Sequence, residues 1–109
     1  MKKTESTVMQ TKYRGYCFFC GKPVNNSEHH LLFGNGFRNL AEEDGLKVDA
    51  CDTCHVIGEV TKRIHDNPMA EKLSKMLGQA LYERNECAKG ATLDDAREKF
   101  RKRYGRSYW

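Results

Sequence analysis

The sequence predicts a small α+β domain, a zinc-centred ββα unit in which two cysteine pairs flank two short strands, followed by helices. Three observations lead there. Four of the five cysteines form two Cys-x-x-Cys pairs, Cys17/Cys20 and Cys51/Cys54, separated by 30 residues. Strand-like runs follow the first pair and precede the second, and apolar residues recur at helical spacing thereafter. At 109 residues and 39% hydrophobic, the chain fits one domain.

Taken in order, residues 1–14 lack apolar periodicity and read as a flexible N-terminal tail. Residues 15–66 form the expected core. After Cys17-x-x-Cys20 and Gly21, a turn over Pro23–Ser27 leads into a strand from Glu28 to Phe33, closed by Gly34-Asn35-Gly36. Residues 37–44 predict a short helix stopped at Asp44-Gly45. Leu46–Ala50 alternates apolar and polar as a second strand, and Val56, Ile57, Val60 and Ile64 keep helical spacing after the second pair. Residues 67–109 form a helical extension. Asn67-Pro68 reads as an N-cap followed by proline at the first helical position. The stripe Met69, Leu73, Met76, Leu77, Ala80 and Leu81 is expected to face the core, with Gly78 marking a close contact. Thr92-Leu93-Asp94-Asp95 starts a last helix that places Leu93, Ala96, Phe100 and Tyr104 on one side, before Gly105.

Two Cys-x-x-Cys knuckles can supply the four thiolates of a tetrahedral structural zinc site. Disulfides fit less well with the odd cysteine count and the absence of a hydrophobic leader, which together predict a cytoplasmic protein. Cys87 stands outside the pattern. No apolar run approaches the ~18 residues of a membrane span. Net charge is +4, divided as +3 over residues 1–16, −4 over 17–96 and +5 over 97–109. Basic ends point to nucleic acid or another polyanion. In the last segment Arg97, Lys99, Arg101, Lys102, Arg103 and Arg106 interleave with Phe100, Tyr104, Tyr108 and Trp109. That mix can grip phosphates and stack on bases, or it can be a solvated face above a core-facing aromatic pair.

Histidines cluster on this frame. His29 and His30 share the first strand and must point to opposite faces, while His55 follows Cys54 directly. Neutral imidazoles ligate divalent transition metals and act as general bases near neutral pH. His65 lies 10 residues after His55, about 15 Å away along a continuous helix. It joins His55 as a third ligand only if the helix breaks, near Gly58 or before Asn67.

Together, Cys17-x-x-Cys20, Glu28-His29-His30 and Cys51-x-x-Cys54-His55 resemble the HNH endonucleases of the treble-clef, His-Me finger (ββα-metal) class. The run His29-His30-Leu31-Leu32-Phe33-Gly34, Arg38, Glu42, Gly45-Leu46 and Cys51 to His55 is similar to small HNH-like proteins of phages and prophages. The resemblance spans roughly residues 15–85. It implies a treble-clef ββα core, bacterial cells hosting such a phage as the setting, and hydrolysis of DNA phosphodiesters. His29 and His55 would hold a catalytic divalent metal (Mg2+, Mn2+, Ni2+ or Zn2+), and His30 would be the general base. The four cysteines would hold a separate structural zinc, and Arg38 would join the basic tail in contacting nucleic acid. One position departs from the family: the central asparagine falls on Leu46, leaving Asn39 or Asp44 to take over its orienting role. The alternatives are a catalytically idle zinc module that binds nucleic acid or a host protein, and an oligomer built on the helix from Met69 to Leu81.

Overall fold

The computed structural model describes residues 5–25, 27–34, 36–59 and 63–109. Asn26, Asn35 and Val60, named above, lie outside the described residues, as do residues 1–4. The architecture is α+β. Strand β1 (Glu28–His30) pairs antiparallel with β2 (Lys47–Asp49), in the register Glu28 opposite Asp49, His29 opposite Val48 and His30 opposite Lys47. Helix α1 (Phe37–Asp44) connects them, and α2 (Pro68–Ala88) and α3 (Leu93–Tyr104) complete the fold. No helix among the described residues is long and apolar enough to cross a membrane.

The local signals place the helix ends closely. Gly45 closes α1 in a left-handed conformation. The Asn67 side chain accepts from the Ala70 N–H at 3.2 Å, and the Thr92 hydroxyl accepts from the Asp95 N–H at 3.1 Å. Strand β1 ends three residues earlier than its apolar run predicts. The chain bends out of the ladder after His30, and Leu31 and Leu32 are both fully buried beyond it.

Leu32, Ala41, Leu46, Tyr82, Phe100 and Tyr104 form the core, with Phe37, Leu40, Leu81 and Tyr108 packed against it. Phe100 stacks on Tyr104 with ring centres 4.6 Å apart, and Tyr82 meets Phe100 edge-on at 5.4 Å. The N-terminal segment read as a flexible tail is tied to this body from residue 6 onward. Ser6 donates to the Lys47 carbonyl at 2.6 Å, and Thr7 N–H to that of Gly45 at 2.9 Å. Arg14 grips Asp49 at 2.8 Å and Glu28 at 3.0 Å.

Helix α2 is rotated relative to its apolar stripe. Its buried residues are Ser74, Gly78, Gln79, Tyr82, Glu83 and Glu86, while Met69 is 80% and Leu73 67% exposed. Close approach decides this. A Cβ at Gly78 would lie 2.9 Å from Leu32 Cγ and 3.2 Å from Leu31 Cβ, so only glycine lets the helix sit on these leucines. The buried polar groups are then satisfied individually. Gln79 donates to Glu83 at 2.8 Å and to Ser107 at 2.9 Å, and Glu83 accepts from Arg97 and from the Trp109 indole. Leu73 and Leu77 of the stripe instead line, with Phe18, Phe19 and Ile64, a groove of about 400 Å³ between the first knuckle and α2.

Candidate metal centres

The first knuckle is a tight turn: Cys17 N–H donates to the Lys22 carbonyl at 2.7 Å and Gly21 N–H to that of Cys17 at 2.9 Å. Phe18 N–H bonds the Asp49 carbonyl at 2.7 Å, which anchors this turn to the end of β2 and thus beside the second knuckle. The sulfurs of Cys17, Cys20, Cys51 and Cys54 all lie within 4.8 Å of one another, close enough to hold a metal ion. Cys20 and Cys51 are 3.6 Å apart, near the ~3.8 Å edge of a tetrahedron with 2.3 Å metal–sulfur bonds. Burial opposes ionisation of Cys17, but the backbone N–H groups of Cys51, Cys20 and Phe19 outweigh it and hold the thiol at about 6. Cys54 is pushed up by burial and by the neighbouring sulfurs of Cys51, Cys20 and Cys17. Cys17 ionises readily and Cys54 resists, the charge pattern of a cluster that a cation completes.

A second cluster is built from His29, His55 and His65, whose ring nitrogens also lie within 4.8 Å of one another. His65 reaches His55 because the helix expected over 54–64 breaks. Thr53–Ile57 makes one wide π-type turn ending at Gly58, whose N–H donates to the Thr53 carbonyl at 3.1 Å. A Cβ at Gly58 would lie only 2.3 Å from that carbonyl oxygen. The chain then returns alongside itself, with Ile64 N–H on the Cys54 carbonyl at 2.9 Å and His65 N–H on that of His55 at 3.2 Å. Arg63 staples the return by donating to the Gly58 and His65 carbonyls and to Asp66. The two Nε2 atoms thereby come to 2.9 Å, where a continuous helix would hold them far apart.

His29 is 1% exposed, and its Nδ1 is buried without a hydrogen-bond partner. An unpartnered buried imidazole nitrogen is costly in an apolar setting, and a metal ligand is one of the few roles that removes the cost. Burial, reinforced by the nearby His55 and His65, lowers His29 to about 3, so its ring is neutral and available to a cation. His55 is lowered too, by burial first and by His65 second. Since His55 and His65 are only partly buried, the cluster has a closed back at His29 and an open front.

His30 points the other way, as strand alternation requires. Its Nε2 lies 2.8 Å from Glu42 Oε1, and Arg38 Nε donates to its Nδ1 at 3.4 Å. Glu42 is held in turn by Lys47 at 2.7 Å. Arg38 and Glu42 are one helical turn apart on α1 and share the face toward His30. Asn39 lies one position round that helix and is exposed, and the side chains that bond His30 are Glu42 and Arg38. Asp44 is engaged elsewhere, accepting from Arg103 and from the Tyr104 hydroxyl at 2.7 Å each. Leu46, where the HNH resemblance would place an asparagine, is fully buried in the core.

Most of the basic C-terminal segment is turned to internal pairing. Arg97 pairs with Glu83 at 3.2 Å, Lys99 with Glu86 at 3.1 Å, Arg101 with Glu98, and Arg103 with Asp44 at 2.7 Å. Arg106 lies over the Tyr108 ring, 4.7 Å from its centre, and Lys102 is exposed. Phe100 and Tyr104 are core residues, so the helix follows the solvated-face reading of its pattern. Sequence reasoning missed Ser74 and Lys47, because a serine on a helix and a lysine in a strand carry no signal until their neighbours are known. No protein-family model, curated protein or solved structure matches the chain.

Proposed function

We propose that the chain is a small HNH-like, metal-dependent phosphodiesterase acting on nucleic acid, with DNA as its substrate, built on a structural zinc in a treble-clef ββα frame. The observation that carries this reading is the convergence of His29, His55 and His65, with the His29 Nδ1 buried and unpartnered. Two imidazoles alone offer a weak site, whereas three imidazole nitrogens with an open front are the donor set of a catalytic rather than a closed structural centre. A divalent ion bound there supplies charge stabilisation to the phosphate and to the departing oxygen.

The protein's own groups account for the proton. Glu42 accepts from the Nε2–H of His30, which leaves Nδ1 as the basic nitrogen. That nitrogen takes the proton of the attacking water, while Glu42, steadied by Lys47, stabilises the imidazolium that forms. Arg38, exposed beside His30, is placed to bind a phosphate and to uncover Nδ1 as it does so. The four cysteines act apart from this chemistry, tying the first knuckle to the turn that carries His55.

Plasmid nicking by purified protein with Mg2+, Mn2+ or Ni2+, beside His30→Ala and His55→Ala, tests the proposal. Cutting by the unaltered chain and its loss in both variants is the expected result; no cutting by folded, zinc-loaded protein with any metal refutes it. One observation favours a second reading, an idle module that binds nucleic acid or a host protein. Both His30 nitrogens are bonded within the chain, and the side chain is 8% exposed. Under that reading His30→Ala leaves binding unchanged.

A further inference from the structure

The free nitrogen of His29 is decided by a residue 45 positions away. Ser74, on α2, is 5% exposed and touches two groups through one hydroxyl. Its oxygen lies 2.9 Å from the Leu31 carbonyl and 2.8 Å from His29 Nε2. A serine hydroxyl has a single proton, and a carbonyl can only accept. The proton therefore goes to Leu31, and the serine oxygen must accept from His29. That requires His29 to carry its hydrogen on Nε2, which leaves a lone pair on Nδ1. Nδ1 is the atom that is buried and has no hydrogen-bond partner.

We infer that Ser74 is a positioning residue that commits His29 to bind metal through Nδ1. The inference rests on the proposed histidine metal centre and adds how that centre is preorganised. A free imidazole divides its hydrogen between the two nitrogens, and each turn of the ring or exchange of tautomer would take the lone pair out of the cluster. The Leu31–Ser74–His29 chain removes both freedoms. It depends in turn on Gly78, one helical turn after Ser74, because the absence of a Cβ there brings α2 down onto Leu31 and Leu32. The neighbouring aromatic edges, Phe19 at 6.2 Å and Phe33 at 5.6 Å between ring centres, keep the ring plane from swinging.

The test reads the tautomer directly, by 15N NMR of histidine-labelled protein with its cysteine site loaded with zinc. Before a second metal is added, His29 is expected in the Nε2–H form; an Nδ1–H form overturns the inference without any variant being made. On adding a second equivalent of Zn2+, the His29 Nδ1 resonance is expected to shift while Nε2 keeps its proton. Ser74→Ala is expected to mix the tautomers and weaken Zn2+ binding at the histidines by about 10- to 100-fold, the usual cost of losing an outer-shell partner. Ser74→Thr, which keeps the hydroxyl, is expected to restore both. Weaker binding with an unchanged tautomer in Ser74→Ala would mean that the serine only packs, and would refute the inference. Because tautomer and Zn2+ affinity are read without substrate, a failure to cut DNA refutes the proposed hydrolysis separately.

Discussion

Replacing Gly78 with alanine sets helix propensity against packing, and the structure says which prevails. In the middle of a helix the change gains about 1 kcal/mol, because alanine loses less backbone entropy than glycine. Here the new Cβ would lie 2.9 Å from Leu32 Cγ, 3.1 Å from Leu32 Cδ1 and 3.2 Å from Leu31 Cβ. The nearest of these atoms is a branch point, and both leucines are fully buried, so the methyl cannot be met by swinging a free side-chain end. Overpacking of this kind costs about 1–3 kcal/mol. The difference is a net loss of about 1 kcal/mol, which lowers the melting temperature by about 4–8 °C in a domain near this size. Ala80, exposed on the same helix, supplies the comparison: Ala80→Gly is expected to destabilise by a similar ~1 kcal/mol through propensity alone. Thermal unfolding of the zinc-loaded proteins measures both changes. A Gly78→Ala protein as stable as the parent, or more so, would refute the close-packing argument and the placement of Ser74 that depends on it.

Three further outcomes are expected. Cys51→Ser should abolish both the bound zinc, read by elemental analysis, and the cooperative unfolding transition. A structural zinc in a finger contributes about 10–16 kcal/mol, as much as the whole stability of a small domain. Leu46→Asn, which puts there the asparagine that the HNH resemblance calls for, should destabilise by about 3–5 kcal/mol in urea titrations, because a fully buried leucine is replaced by an amide without a prepared partner. Glu83 is held below the usual carboxylate range: burial opposes this, but hydrogen bonds from Arg97, Gln79 and Trp109 outweigh it. Its contribution is therefore complete above the ordinary carboxylate value and is lost as pH falls through the lower folded value. The fluorescence of Trp109, the single tryptophan, should report release of the C-terminus over that acidic window, and in Glu83→Gln already at neutral pH.

The sequence by itself determined the elements whose signals are local. The ends of α1, α2 and α3 follow from Gly45, Asn67-Pro68 and Thr92, because a cap is satisfied by backbone within a few residues. The two cysteine pairs were equally legible, since a two-residue spacing already places both sulfurs on one turn. The alternation of β1 likewise foretold that His29 and His30 face opposite ways. Tertiary structure alone decided which face of α2 is buried. Its apolar stripe through Met69 and Leu73 was overruled by the contact of Gly78 with Leu31 and Leu32, and by a polar set each satisfied by a distant partner. It also decided that His65 joins His55, because the reversal after Gly58 is held by backbone and Arg63 bonds that leave no periodic trace. Ser74, Glu42 and Lys47 gain their roles only from neighbours brought by chain reversal. A hydrogen bond is short-ranged, so its partner is set by the fold rather than by distance along the chain.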